Sequence, residues 1–139
     1  MTDAFSLHPQ LAADTVPLGD LPLSRVLLAK DANYPWLILV PKRPALTEIF
    51  DLPEQEQNQL FGEIRQAAGA LKRVTACDKL NIAAIGNVVS QLHVHVVARR
   101  KTDAAWPKPV WGAVPATAYA ADIRDKLIAD LRNALPVVP

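Results

Sequence analysis

The sequence predicts an α+β domain in which an antiparallel sheet of about five strands is packed by a long central helix and a C-terminal helix. Two observations point to this class. Short runs rich in apolar and β-branched residues, bounded by turn residues, occur in both halves of the chain and predict strands. Two longer segments repeat apolar residues at every third or fourth position, which is the spacing of an amphipathic helix.

Length and composition indicate one globular domain. The 139 residues are 50% hydrophobic and 21% charged, so we take 1–139 as a single domain with its own core. A net charge of +1 gives no reason to expect a nucleic-acid polymer as partner. The single cysteine, Cys77, favours a reducing compartment, and we expect a cytoplasmic protein. We expect neither a signal peptide nor a membrane segment, because no run reaches the roughly 20 apolar residues that span a bilayer.

The first part of the chain predicts an irregular arm followed by a hairpin. Residues 1–22 contain three prolines and show little periodicity, so we interpret them as an irregular N-terminal arm lying on the domain. Within this arm, His8 is interpreted as a surface or capping residue. Residues 24–30 are strand-like, and the continuous apolar run 36–40 predicts a strand buried on both faces. The turn composition of 31–35 joins the two as a hairpin.

The rest of the chain predicts two helices around further strands. A helix start at Asp51 and Pro53 precedes an apolar stripe, which gives the long central helix 52–77. Residues 79–85 predict a strand. The apolar stripe from Tyr119 to Leu135 predicts a C-terminal helix that docks on the domain.

Residues 87–99 predict a strand with an unusual polar face. Side chains along a strand point alternately to opposite faces. One face of this segment is small and largely apolar, which suits packing against helices. The other face carries Asn87, Gln91, His93, His95 and Arg99. Two of the three histidines of the protein therefore lie side by side.

The neighbouring imidazoles allow three interpretations. They could ligate a metal ion, act as nucleophile and acid or base, or be structural. A metal site needs a third ligand, and neither His8 nor Cys77 stands at a recognisable spacing from the pair. Gly86-Asn87 precedes the pair, and the face offers hydrogen-bond donors without an adjacent Asp or Glu. Such a face suits a phosphate anion.

Residues 91–97, Gln-Leu-His-Val-His-Val-Val, resemble the His-x-His-x-His-x-x signature of the histidine triad (HIT) superfamily. His93 and His95 match the second and third triad positions, and Gln91 stands at the first. Gly86-Asn87 is similar to the phosphate-binding segment that leads into this strand in the family. The resemblance implies the HIT-like form of the predicted fold and a homodimer with a continuous sheet.

The resemblance also implies an activity. HIT proteins are nucleotide hydrolases and transferases that act on the α-phosphate of a nucleoside. By this resemblance His93 is the nucleophile that forms a nucleotidyl-histidine, His95 donates to the phosphate or leaving group, and Asn87 holds a non-bridging oxygen. Gln91 can exchange hydrogen bonds but cannot carry a proton. The scheme needs no cofactor and no metal, and it fits a purine nucleotide such as a diadenosine polyphosphate or a nucleoside phosphoramidate.

Residues outside the motif are candidates for substrate contacts. Asp31 and Asn33, in the hairpin turn, could hydrogen-bond a ribose or simply form the turn. Asn81 matches, by position, a polar residue that points toward the phosphate in the family. Trp106 and Trp111 could pack on the domain, close a dimer interface or cover a base. A nucleotide-binding or interaction protein with little turnover, and a metal-dependent hydrolase, remain as alternative functions.

Overall fold

An antiparallel sheet is the frame of the structure, a computed structural model that describes residues 4–139. Its five strands pair in the order β1-β2-β3-β5-β4, and they are β1 (Thr15–Asp20), β2 (Ser24–Ala29), β3 (Trp36–Pro41), β4 (Lys79–Ala83) and β5 (Val94–Arg99). The helices are α1 (Pro9–Asp14), α2 (Glu54–Thr75) and α3 (Ala121–Ala134). The predicted α+β class, strand number and two main helices are confirmed.

One face of the sheet is buried beneath α2 and α3. The small apolar side chains Val94, Val96 and Ala98 of β5 point to this face, as the alternation predicts. The helices contribute their apolar stripes to the same core, which holds Leu60, Ile64, Ala67 and Leu71 of α2 and Ile128 and Leu131 of α3. Within residues 4–139, none of the helices is both long and apolar enough to cross a membrane.

The opposite face is covered in two separate places. Near its start the chain packs Leu11 of α1, with Phe5 and Leu7, on Ile38 and Val40 of β3. The loop after β5 supplies the second cover, which consists of Ala105 and Val110 on Tyr34 and Val97. Residues 36–40 of β3 are thus enclosed between the two layers, in agreement with the continuous apolar run of this strand.

The prediction of an irregular arm over residues 1–22 is wrong for residues 9–20. Residues 9–20 form α1 and β1, and only 1–3 lie outside the described part. Pro9 is the first residue of α1, where its missing N–H breaks no helical hydrogen bond. Pro17 lies in β1, an edge strand that tolerates proline. His8 caps α1, because its Nδ1 accepts from the backbone N–H of Gln10 at 3.0 Å.

The strand predicted over 87–99 is much shorter in the structure. Only Val94–Arg99 form β5, and the strand predicted over 79–85 ends at Ala83. The intervening loop contains Gly86 with a φ of +70°, a left-handed conformation that ends an extended run. At the end of this loop the N–H of Leu92 donates to the carbonyl of Leu46 and not to the sheet. His93 is therefore a loop residue, whereas His95 lies within β5.

A buried ion pair ties the loop after β5 to the sheet. Arg99 is 1% exposed, and its guanidinium donates to the Asp103 carboxylate at 2.8 and 3.0 Å. A third bond, of 2.8 Å, goes to Oδ1 of Asn81 on β4. The guanidinium carbon also lies 5.6 Å from the ring centroid of Tyr34 and 5.5 Å from that of Trp106. This cluster fixes the start of the loop that covers the sheet.

Candidate active site

A cavity of about 660 Å³ lies on the face of the sheet opposite α2 and α3, between its two covers. Its walls come from α1, from β2 and β3, from the 85–89 loop, from the histidine segment and from the loop after β5. The volume falls within the range of small-molecule sites in proteins. His93 and His95 both line this cavity, and their ring centroids are 4.8 Å apart.

The ring of His93 is oriented by the main chain. Its Nδ1 lies 2.6 Å from the carbonyl oxygen of Gln91. A carbonyl oxygen can only accept, so Nδ1 donates this bond and carries the hydrogen. In the neutral imidazole the other nitrogen, Nε2, then has a free lone pair. His93 thus offers a nucleophilic nitrogen to a ligand in the cavity.

His95 is held by an aromatic neighbour. The indole Nε1–H of Trp36 donates to its Nδ1 at 3.0 Å. Burial, together with the neighbouring His93, lowers the pKa of His95 to about 4. His95 is therefore neutral near pH 7, and it cannot act as a cation toward an anionic ligand.

Tryptophan rings form the wall beside His95. The ring centroids of Trp36 and Trp111 lie 5.7 and 5.2 Å from that of His95, and 5.9 Å from each other. Trp111 lines the cavity, whereas Trp106 packs on the Arg99 guanidinium. Of the two tryptophans considered from the sequence, Trp111 is thus the one beside the site.

Three further predicted residues also line the cavity. Gly86 and Asn87 do so from the loop before the histidines, and Asp31 does so from the end of the β2–β3 hairpin. Oδ1 of Asp31 accepts from the backbone N–H groups of Asn33 and Thr117 at 3.0 and 3.3 Å, so Asp31 also forms the turn. The cavity is not free of acidic groups, because Asp31 and Asp14 of α1 both reach it.

Comparison with known proteins identifies the family. A model of the HIT domain matches residues 10–102, more than half of the chain. The chain belongs to the HIT domain family. Crystal structures of three histidine triad proteins are similar to this HIT chain, with TM-scores of 0.95, 0.92 and 0.93. No curated protein matches it.

The three similar proteins align with this chain over almost its whole length. The one from Bradyrhizobium japonicum is 56% identical, over 96% of this chain and 99% of that chain. The one from Sinorhizobium meliloti is 41% identical, over 94% and 97%. The one from Marinobacter aquaeolei is 40% identical, over 96% and 98%.

Gln91, which is predicted to stand at the first triad position, does not line this cavity of the HIT domain but lines a smaller neighbouring one together with His93. Its side chain instead clamps the N-terminal segment. Oε1 accepts from the backbone N–H of His8 at 2.8 Å, and Nε2 donates to the carbonyl of Ser6 at 2.9 Å. The Gln91 side chain thus anchors the segment that leads into α1, and its carbonyl orients His93, while a catalytic role for Gln91 stays a prediction.

Asn81 lies outside this cavity as well. Its Oδ1 accepts from Arg99, and it is not among the residues that line the cavity. The strand pairing explains this position, since Asn81 lies opposite Val97 on β5, two residues beyond His95. In the structure Asn81 therefore supports the Arg99–Asp103 ion pair, and a contact of Asn81 with substrate stays a prediction.

Two parts of the cavity were not predicted as functional. Trp36 is a member of the apolar run of β3, and its role follows from a contact with His95 across 59 positions of sequence. The wall formed by α1, which includes Gln10 and Leu11, falls in the segment interpreted as irregular. The sequence signal for this helix is Pro9, because proline is favoured at the first position of a helix. Within residues 4–139, no group of three His, Cys, Asp or Glu side chains is placed to hold a metal ion.

The two hydrogen bonds from the Gln91 side chain to the backbone of Ser6 and His8, here called the clamp, predict that Gln91→Ala is less stable. Removing two hydrogen bonds to the backbone should lower the free energy of unfolding by about 1 to 2 kcal/mol. The segment before α1 should also be cleaved faster in limited proteolysis, because it is held by fewer contacts. The matched control is Gln66→Ala, at an exposed glutamine of α2, which should stay within about 0.5 kcal/mol of the original protein. Equal stability and equal cleavage of both variants would contradict the clamp.

Proposed function

We propose that this HIT protein is a nucleotide phosphohydrolase or nucleotidyl transferase that acts on the α-phosphate of an adenylated compound. The observation that carries the proposal is the hydrogen bond from His93 Nδ1 to the Gln91 carbonyl, 2.6 Å long. It reserves Nε2 for nucleophilic attack without any change of proton position. Membership of the HIT family supports the assignment of nucleotide chemistry to this cavity.

The proposed reaction has two steps. In the first, Nε2 of His93 attacks the α-phosphorus, a P–N bond forms, and the bond from phosphorus to the leaving group breaks. In the second, water attacks the phosphorus of the nucleotidyl-histidine and loses a proton to solvent, the P–N bond breaks with its electron pair returning to Nε2, and the mononucleotide leaves. Replacing water by another acceptor converts hydrolysis into transfer. A neutral imidazole suits both steps, because it is nucleophilic near pH 7 and departs readily once it is phosphorylated.

Neighbouring groups supply the binding contacts. Asn87, beside Gly86 in the loop that lines the cavity, donates to a non-bridging oxygen of the phosphate. Oδ1 of Asp31 is occupied by two backbone N–H groups, which leaves the rest of its carboxylate to accept from a ribose hydroxyl. The apolar surfaces of Leu11, Ile38 and Val89 in the same cavity offer contact to a base.

Trapping the intermediate tests the proposal. The protein is mixed with a diadenosine polyphosphate, quenched without acid, and its intact mass is measured. A mass gain of one AMP supports the nucleotidyl-histidine, and turnover without an adduct argues for direct attack by water or for a metal-dependent route. Binding of AMP together with no hydrolysis of any adenylated compound favours the alternative function, a nucleotide-binding protein with little turnover.

We further propose that the protein is a homodimer that joins two sheets through β4. β4 is an edge strand of the sheet, and its backbone can pair with an antiparallel copy of itself. Ile82 on β4 and Phe61 on α2 are 51% and 55% exposed, and exposed apolar side chains at a sheet edge favour pairing with another chain.

Light scattering in solution tests the dimer. Ile82→Asp places a charge at the centre of the proposed interface and should shift the protein from dimer to monomer. Ile123→Asp, at a residue of α3 that is 60% exposed, is the matched control and should remain dimeric. A monomeric original protein, or equal masses for both variants, would exclude this interface.

A further inference from the structure

The hydrogen bond between Trp36 and His95 has a fixed direction. Nε1 of the Trp36 indole lies 3.0 Å from Nδ1 of His95. An indole N–H can donate but cannot accept. Nδ1 of His95 therefore presents its lone pair to Trp36 and carries no hydrogen. In the neutral ring the hydrogen must then be on Nε2.

We propose that Trp36 is a positioning residue that holds His95 as the Nε2–H tautomer, so that His95 presents a hydrogen-bond donor, and never a base, to a phosphate oxygen in the cavity. The proposal rests on the proposed function for its phosphate ligand. The tautomer itself depends only on the contact between the two rings.

The two histidines then have opposite and complementary tautomers. His93 is protonated on Nδ1 by its bond to the Gln91 carbonyl and has a free Nε2. His95 accepts on Nδ1 from Trp36 and has an N–H at Nε2. One ring offers a lone pair for phosphorus, and the other offers a donor for an oxygen on the same phosphate. The Gln91 carbonyl thus sets the tautomer of His93, and the Trp36 indole sets that of His95, before a ligand binds.

The surroundings of His95 favour its neutral form as well. Burial and the adjacent His93 ring oppose a charge on this imidazole. The other titratable groups that share the cavity are Asp14, Asp31 and Lys30. Protonation of His95 at Nδ1 would also set an N–H against the Trp36 N–H, so this bond opposes protonation in the same direction.

Nitrogen NMR of the histidine side chains reads the tautomer without any substrate. The ¹⁵N-labelled protein is examined from about pH 5 to about pH 8, where an ordinary histidine changes its charge. His95 is assigned with the variants His8→Gln and His93→Gln, which leave it in place. We expect Nε2 protonated and Nδ1 unprotonated over the whole range. A hydrogen on Nδ1, or a full titration of His95 within this range, would overturn the proposal.

Trp36→Phe keeps an aromatic ring and removes the donor. In this variant His95 should populate both tautomers, and its titration should move to higher pH. The kcat for an adenylated substrate should fall about tenfold, with a smaller change in KM, because the loss of one hydrogen bond corresponds to roughly this factor. Trp111→Phe is the matched control, since Trp111 also lies beside His95 but makes no hydrogen bond to it, and its His95 tautomer should be unchanged.

Each outcome tests either the positioning role of Trp36 or the proposed nucleotide chemistry. An unchanged His95 spectrum in Trp36→Phe would overturn the role of Trp36. If this variant does not fold, the spectrum of the original protein decides the tautomer by itself. If the original protein turns over no adenylated compound, the proposed function fails, and the tautomer measurement still supports or refutes the positioning role.

Discussion

Replacing His93 with alanine should lower the turnover of an adenylated substrate by roughly 10³-fold or more. The variant removes the His93 Nε2 that the bond to the Gln91 carbonyl leaves unprotonated. His95 cannot replace this nucleophile, because its unprotonated nitrogen, Nδ1, accepts the hydrogen bond from Trp36. The same variant should give no AMP adduct in the intact-mass experiment. Substrate affinity should change less than turnover, because the other cavity walls remain.

Two further measurements make the His93→Ala result specific. Circular dichroism and AMP binding should show that the variant is folded and still holds a nucleotide. Added imidazole should restore part of the lost turnover, because it can enter the space left by the side chain and attack the phosphorus itself. Unchanged turnover in His93→Ala would rule out this residue as the nucleophile.

Asp103→Ala should lower the free energy of unfolding by about 3 to 5 kcal/mol. The substitution leaves the Arg99 guanidinium, 1% exposed, without its counter-charge. It also removes the acceptor for the backbone N–H groups of Arg100, Ala105 and Trp106. Denaturant unfolding measures the loss, and a change below about 1 kcal/mol would mean that the ion pair contributes little.

An exposed ion pair supplies the matched control for Asp103. Lys126 and Asp130 on α3 are 2.8 Å apart, with side chains 77% and 42% exposed. Asp130→Ala should cost no more than about 1 kcal/mol, because water already screens this pair. The contrast between the two variants isolates the effect of burying the charge.

The ion pair should also respond to acid in a defined direction. Burial by itself raises the pKa of the Asp103 carboxyl, but hydrogen bonds from Arg99 and from three backbone N–H groups outweigh it and hold the pKa below its ordinary value. The carboxylate therefore stabilises the fold above the unfolded-state pKa of about 3.9, and this contribution is lost as the pH falls through the lower folded-state value. The stability difference between the original protein and Asp103→Asn should shrink below about pH 4.

The sequence by itself determined the features that repeat along one element. The apolar alternation of Val94, Val96 and Ala98 and the stripes of α2 and α3 are local periodic patterns, so they predicted the buried face of β5 and both main helices. The spacing of His93 and His95 identified the segment that lines the cavity. The HIT signature around them indicated the family to which the chain belongs.

The tertiary structure alone decided which single residues meet. Gln91 and Asn81 share a predicted face or motif with the histidines, yet Gln91 holds Ser6 and His8 while Asn81 binds Arg99. Trp36 reaches His95 because β3 pairs with β5 in one particular register, which places Ile38 opposite His95. Strand order and register arise from the packing of the whole core, so a contact between distant residues leaves no periodic trace in the sequence around either partner.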